Sequence, residues 1–573
     1  MLFPAWGQVR LNNLVGELPV VGPETRAAEI VYRFTNPRQG WVYIRCEARA
    51  NSEETVRLSI NEAPDAIGAV AHEAGPGRPL EAMRLLDPGE HAIHVVSGQS
   101  SPAVSPTVRA VPAILYSKFP DYPSELNSCP VYDWDYLSGI GMLDTANVLI
   151  SREIPRDHPE FKRIEGWRNQ GRRWVCNSPV IGNSEEVSSD EAYRYWTSQW
   201  GLRAPGLDGL IVDEFTQKPE RYSVWSESIA RAKVEAGSRD FVMYLAGYAE
   251  TLRDLLRPLV GTGVQFAYER YMSERPTEDA MRAFIREELI ARVADFNREV
   301  PGFNAQGILV LGFFCGPRTS LNKDPGADFK VQLDMQFEAI ANEPACEGLY
   351  GIMAWTSDYA DEEYLRWLVR LYRHYCIEGR TERLGKDPYR LDHIRNPDFE
   401  QGLEGWTVEA ATPDSVSVGR KDWLGFLEGR YPEDHQGDTY LLLTRSATGP
   451  NRIRQTIRNL EPGKTYSVKM FSVDKDNPTA ETKHPLAIRI ERADLIPERS
   501  FQDVYPNHPV GEEKHGFGLE NPARINYHYR VFRARSDNAE LVISDWPIAK
   551  TPDGFGGKRF MCNFFEVEPY YLE

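Results

Sequence analysis

Cysteine is scarce: seven residues, at 46, 129, 176, 315, 346, 376 and 562, are scattered over 573 positions with no Cys-x-x-Cys spacing. The odd count and wide spacing exclude a zinc knuckle or redox pair and argue against a disulfide framework. Long apolar runs are also missing, since Gly, Pro or a charge breaks each candidate well short of the roughly 18 residues that cross a bilayer. A soluble chain with no transmembrane contact is expected. The start, MLFPAWGQVRLNNLVGE, lacks a basic stretch followed by an apolar run and a small-residue cleavage site. The expected location is secreted or periplasmic if a signal peptide was trimmed from this chain, and otherwise cytoplasmic. Positive charge is short, with 66 Lys and Arg against 84 Asp and Glu and a formal charge of -18, so no nucleic-acid partner is expected. The 11 His form neither a His-Glu-x-x-His helix nor a compact cluster, and no Gly-x-Gly-x-x-Gly follows a strand. No cofactor or metal is therefore expected in the active site.

What is present is apolar surface in quantity. Hydrophobic residues make up 41% of the chain, with 13 Trp, 27 Tyr and 24 Phe, enough for several cores in series. From position 28 to 96 the pattern is short strands, EIVYRFT, WVYIRCEAR, TVRLSI, MRLL and HAIHVV, between turns such as NPRQG and DPGE. Period-two alternation without a long helical window predicts an N-terminal β-sandwich over 1–108 that packs on or supports its neighbour. The Gly/Pro/Ala-rich stretch EAPDAIGAVAHEAGPGRPL reads as a loop.

After Pro112 apolar strands alternate with charged helical stretches: AILYSKF, ANVLIS, RRWVCNS, GLIVDEF, DFVMYLA, QFAYERY, GILVLGFF and YGIMAWTS. In TEDAMRAFIREELIARVADFNREV, Met281, Phe284, Ile285, Leu289 and Val293 form one apolar stripe. Eight strands with intervening helices predict a (β/α)8 TIM barrel over 109–385, the count being that of a fold of roughly 250 residues. A doubly wound open sheet is the competitor. The first quarter is expected to be irregular, because DYPSELNSCPVYDWDYLSGIGMLDT shows no clear crossover helix. A charged connection, RTERLGKDPYRLDHIR, leads to a second set of strands (TYLLLT, NRIRQTI, KTYSVKMFSV, LAIRIE, INYHYRVF, AELVIS, CNFFEVEPY), a β-sandwich jelly roll over 396–573.

Catalytic groups of such a barrel project from the C-terminal ends of the strands. Asp213 and Glu214 end GLIVDEF, where Phe215 extends an apolar setting that would raise a carboxyl pKa; a helix cap or salt bridge is the plainer explanation. Alternation puts Gln265, Ala267 and Glu269 on one face of the sixth strand and Phe266 and Tyr268 on the other. Glu269 is then an inward carboxylate, unless it pairs with Arg270 or Arg275. Hydrolysis of a glycosidic bond requires two carboxyl groups in different protonation states, and Glu214 and Glu269, on separate strands, form the candidate pair with Asp213 in support. Arg152, Asn177, Tyr268, Tyr271, Trp355 and Asp358 are candidates for substrate binding, Trp355 as the sugar platform. Core packing or backbone satisfaction explains each of these individually as well. Cys315 reads as structural. DKDNPTAETK, around Asp474, is either a site for a structural calcium in the C-terminal domain or a solvated turn.

NPDFEQGLEGW, LEPGKTYSVKMFSV and NFFEVEPYYLE resemble the jelly-roll carbohydrate-binding modules attached to many glycoside hydrolases, over about 396–573, a scaffold also used as an inert accessory domain. The middle region is similar to the (β/α)8 barrel of multidomain glycoside hydrolases, with no particular family assigned. The resemblance implies a hydrolase acting on polysaccharide or oligosaccharide, of retaining outcome, with Glu214 as acid/base and Glu269 as nucleophile; the two roles are interchangeable and an inverting reaction stays open. Two other functions compete, a noncatalytic carbohydrate-binding or surface-assembly protein and a polysaccharide lyase or transglycosylase. Oligomeric state is not read from the sequence.

Overall fold

The computed structural model describes residues 9–26, 29–47, 56–62, 72–74, 79–97, 106–117, 126–183, 185–313, 315–316, 319–355, 360–430, 436–507, 522–546 and 556–572. Its centre is a closed barrel of eight parallel strands, β1 (Ala113–Ser117), β2 (Val148–Ser151), β3 (Arg173–Pro179), β4 (Gly209–Phe215), β5 (Asp240–Leu245), β6 (Gln265–Arg270), β7 (Gly307–Gly312) and β8 (Gly351–Trp355). Pairing of Ala113 with Gly351 and Tyr116 with Ala354 closes the ring and excludes the open doubly wound sheet. Strands covered on both faces are apolar without interruption: every residue of β5 and β7 is buried.

Five helices begin where a short polar side chain accepts a backbone N–H, at Asp133, Ser188, Thr277, Asp328 and Asp361. The 277–300 stripe forms a helix whose middle, Arg286–Ile290, is a π-turn between Glu278–Ile285 and Ala291–Glu299. Between β1 and β2 the expected irregularity is there, but two short helices, Trp134–Gly139 and Met142–Thr145, stand where no helix was expected. They are too short to show a full apolar stripe in the sequence.

Two five-stranded antiparallel sheets form the N-terminal sandwich, with Gly40–Cys46 between Pro106–Val111 and Leu80–Leu86 in one and Glu29–Asn36 beside Gly89–Ser97 in the other. The predicted loop contains a short strand, His72–Ala74, paired with Val56–Ile60. This sandwich is joined to the barrel rather than tethered to it. Trp41, Tyr43 and Met83 belong to the barrel's own apolar core, the Asn13 amide donates to the Ile340 carbonyl at 2.9 Å, and Arg373 pairs with Glu81 at 2.5 Å.

The C-terminal sandwich has a four-stranded sheet and a seven-stranded sheet centred on Arg559–Pro569 and Thr465–Asp474. Strands Thr407–Glu409, Val416–Arg420, Ala493–Leu495 and Phe501–Asn507 add to the seven expected. Aromatic residues on one face of the large sheet, including Tyr440, Phe471, Tyr505 and Tyr527, are buried against Leu126, Leu424 and Leu427. The connection over 380–395 is a packed seam. Tyr389 is fully buried and its hydroxyl donates to the Arg275 carbonyl, while Lys464 of the sandwich pairs with Asp387. Among the described residues no helix is long and apolar enough to cross a membrane.

Candidate active site

Strand β4 departs from regular pairing at the point where the carboxylates stand. Val212 pairs with Met243 and Phe215 with Leu245, so Asp213 and Glu214 together face Tyr244 alone. This is a β-bulge, which re-aims side chains at the end of a strand. Glu214 adopts φ 54°, in the left-handed region that costs a non-glycine residue on the order of 1 kcal/mol or more. A regular strand would send the two side chains to opposite faces; with the bulge, both carboxylates act electrostatically on Glu269. Phe215 turns outward to Trp225 and Trp196. The Asp213 carboxyl is pushed up to about 6 by desolvation and by the neighbouring Glu214 charge. The side chain of Glu214 itself is exposed.

Glu269 lies at the end of β6, half-buried. Burial pushes its carboxyl up to about 7; hydrogen bonding by Tyr271 opposes this, Glu214 adds to it, Tyr244 again opposes it and Asp213 again adds. The Tyr271 and Tyr244 hydroxyls are hydrogen-bonded to each other, and both lie within hydrogen-bonding reach of the Glu269 carboxyl. The two arginines considered for Glu269 have other partners. Arg270 pairs with Glu288, and Arg275 lies over the Phe284 ring at 3.5 Å. Tyr271 approaches β7 closely, because a Cβ on Gly312 would stand 3.0 Å from its ring and 2.4 Å from Leu321.

Of the remaining candidates, Trp355 ends β8 half-buried, with its ring 5.1 Å from that of Tyr244. Strands β5 and β8 are not neighbours in the barrel, so these two rings meet across its interior. Asn177, on β3, shares the face of Val175, opposite that of Trp174 and Ser178, which turn to Trp200 and Gln199 of the helical layer. Arg152 follows β2 and is exposed. Tyr268 is a correction: it is 2% exposed, and its ring packs 4.5 Å from Phe296 outside the barrel. The alternation that turned Glu269 inward required this, so Tyr268 is a core residue and no part of the cleft. Asp358 lies outside the described residues.

Tyr244 is a site residue absent from the candidates above; its signal was position, the last inward residue of β5. Cys315 is buried, with its thiol held well above the usual range by desolvation. All seven cysteines are free. Around Asp474 the carboxylate accepts from the Asp476 and Asn477 backbones and pairs with Lys558 at 3.0 Å. Among the described residues no group of three or more His, Cys, Asp or Glu could hold a metal ion. A cavity of about 650 Å³ lies at the opposite end of the barrel, beneath Arg173, Asp240 and Gln265. Asp240 is the one carboxylate among its described lining residues, and it is paired with Arg173 at 3.0 Å.

No family model matches the chain, and no curated protein matches it. Among solved structures it is similar to a ruminal GH26 endo-β-1,4-mannanase, at 10% identity over 60% of this chain and 88% of that one, TM-score 0.28. It is also similar to a β-glucuronidase from Ruminococcus gnavus in complex with uronic deoxynojirimycin, at 13% identity over 60% of this chain and 61% of that one, TM-score 0.30. TmCBM61 in complex with β-1,4-galactotriose matches at 12% identity over 31% of this chain and 97% of that one, TM-score 0.18. At these identities and scores the likenesses assign no activity. The chain is a multidomain protein with a closed parallel barrel flanked by two antiparallel sandwiches.

Proposed function

We propose that this protein is a glycoside hydrolase acting on a polysaccharide or oligosaccharide, with Glu269 as the proton donor and the Asp213–Glu214 pair supplying the ionised carboxylate. The observation that carries this reading is the electrostatic coupling of these three carboxyls at one end of the barrel, with Glu269 pushed up to about 7. A leaving sugar oxygen must receive a proton as charge develops at the anomeric carbon, and a second carboxylate must meet that charge or activate water. A group with its pKa near neutrality holds the proton and can still give it up. Tyr271 orients the Glu269 carboxyl, and the half-buried Trp355 ring, backed by the buried Tyr244, offers an apolar face to the C–H side of a pyranose. Burial thus favours the reverse of the role order that the resemblance implies.

The test separates the two roles chemically. In Glu269→Gln, hydrolysis of glycans should fall by orders of magnitude, whereas aryl glycosides whose leaving group needs no proton should retain most of their turnover. Asp213→Asn and Glu214→Gln should not be rescued in this way. Reducing-end release from a glycan panel, with folding checked by circular dichroism, is the measurement. Undiminished hydrolysis in all three variants, or glycan binding with no release by the unaltered protein, removes the proposal; rescue of a β4 variant instead exchanges the roles.

A further inference from the structure

We propose that the C-terminal sandwich is a working part of this site: through the segment that follows β7 it sets the position of Tyr271 against Glu269. The inference rests on Glu269 belonging to the working site, and it concerns Glu274, Asn322 and Arg430 as positioning residues.

The path consists of short contacts between buried groups. On the sandwich side, the Gly429 carbonyl accepts the Ser320 N–H at 2.6 Å. The Arg430 guanidinium donates to the Lys323 carbonyl at 3.1 Å, and Glu566 accepts from the Asn322 amide at 3.0 Å. On the barrel side, one oxygen of Glu274 accepts the backbone N–H groups of Lys323 and Asp324 at 2.8 and 2.7 Å. Glu274 is three residues beyond Tyr271, so it ties the turn after β6 to the segment after β7. Leu321, in that segment, and Tyr271 crowd the same side of Gly312 and belong to one apolar core. A side chain held by packing and by a hydrogen-bonded outer layer keeps its geometry, and one without such support loses it.

The large sheet of the sandwich is suited to this role rather than to that of a detachable module. The aromatic residues on its face are buried against Leu126, Leu424 and Leu427, so that face is already occupied. Its central strands send Lys469, Glu566 and Glu568 into the barrel helices, where Glu568 accepts from Lys330 at 2.6 Å. The segment over 320–324 is thereby anchored from both sides.

The test reads the Glu269 carboxyl directly and needs no substrate. In the full chain labelled with carboxyl-¹³C glutamate, the Glu269 resonance is identified by its loss in Glu269→Gln and followed against pH. The groups facing it are Asp213 and Glu214 from β4, Tyr244 from β5 and Tyr271. Tyr271→Phe sets the scale, an upward move of the midpoint by about one pH unit for loss of a hydrogen bond to the charged form. Glu274→Ala and Asn322→Ala should each reproduce at least half of that move with the secondary structure retained. Glu274→Gln, which keeps an acceptor for the two N–H groups, should restore the original midpoint. Where a glycan is cleaved, the alkaline limb of its pH–rate profile should move with the resonance. An unmoved midpoint in either folded alanine variant overturns the inference. If Glu274→Ala does not fold, Asn322→Ala decides alone. Absence of any glycan hydrolysis would remove the proposed function while leaving the titration result intact.

Discussion

At Glu269, burial and hydrogen bonding pull in opposite directions and burial prevails, leaving the carboxyl at about 7 against an ordinary 4.5. Between those two values the folded chain holds a proton that the unfolded chain has released. The contribution of this group to stability is therefore fully present below pH 4.5 and is lost as pH rises through about 7, a change of about 3 kcal/mol. Glu269→Gln should flatten the decline. Urea unfolding of both proteins across pH 4.5–8 is the measurement, and parallel curves would show that the carboxyl is solvated after all. The inward direction of Glu269 was legible because β6 alternates strictly, and the same alternation disqualified Tyr268. The bulge at Asp213 and Glu214 was not legible. VDEF reads as a regular strand end, and the left-handed backbone of Glu214 is imposed by closure against β5, which no local pattern encodes.

Among the elements, the barrel strands were the most readable, because strands buried on both faces must be written as continuous apolar runs. Elements read poorly where their stabilising contacts lie far off in the chain. Lys330 and Glu363 look like ordinary solvated helix residues, yet each is 1% exposed. They meet Lys469, Glu566 and Glu568 from the C-terminal sandwich, with Lys330 to Glu568 at 2.6 Å and Lys469 to Glu566 at 2.8 Å. Such a buried cluster contributes little net stability compared with apolar packing, but removal of one member leaves a charge without its partner. Lys330→Met should therefore destabilise the protein by about 3–5 kcal/mol, measured as a shift of the denaturant midpoint. A loss below about 1 kcal/mol would mean that water reaches the cluster.

For the whole molecule, the composition already implied several cores, but their fusion was not written in any one segment. The N-terminal sandwich contributes Trp41 and Tyr43 to the barrel core, and the C-terminal sandwich closes over the barrel helices with charged groups that cannot be left dry and alone. The charged connection over 380–395 looked like a linker because its charges are dense; its partners, such as Lys464 for Asp387, are distant in sequence. Independent domains would unfold in separate steps, whereas shared cores unfold together. A single calorimetric transition is expected, with equal calorimetric and van't Hoff enthalpies; two resolved transitions would show that the sandwich and barrel are separable.

The acidic groups in the C-terminal half have one further effect. Burial holds the carboxyls of Glu363, Glu428 and Glu566 above the usual carboxylate range, so near neutrality the native chain carries hydrogen ions that its unfolded form does not. Denaturation is then also an acid-releasing reaction. The heat it absorbs includes whatever the surrounding buffer gives back on taking up those ions, and Tris and phosphate would report different enthalpies for the same loss of structure.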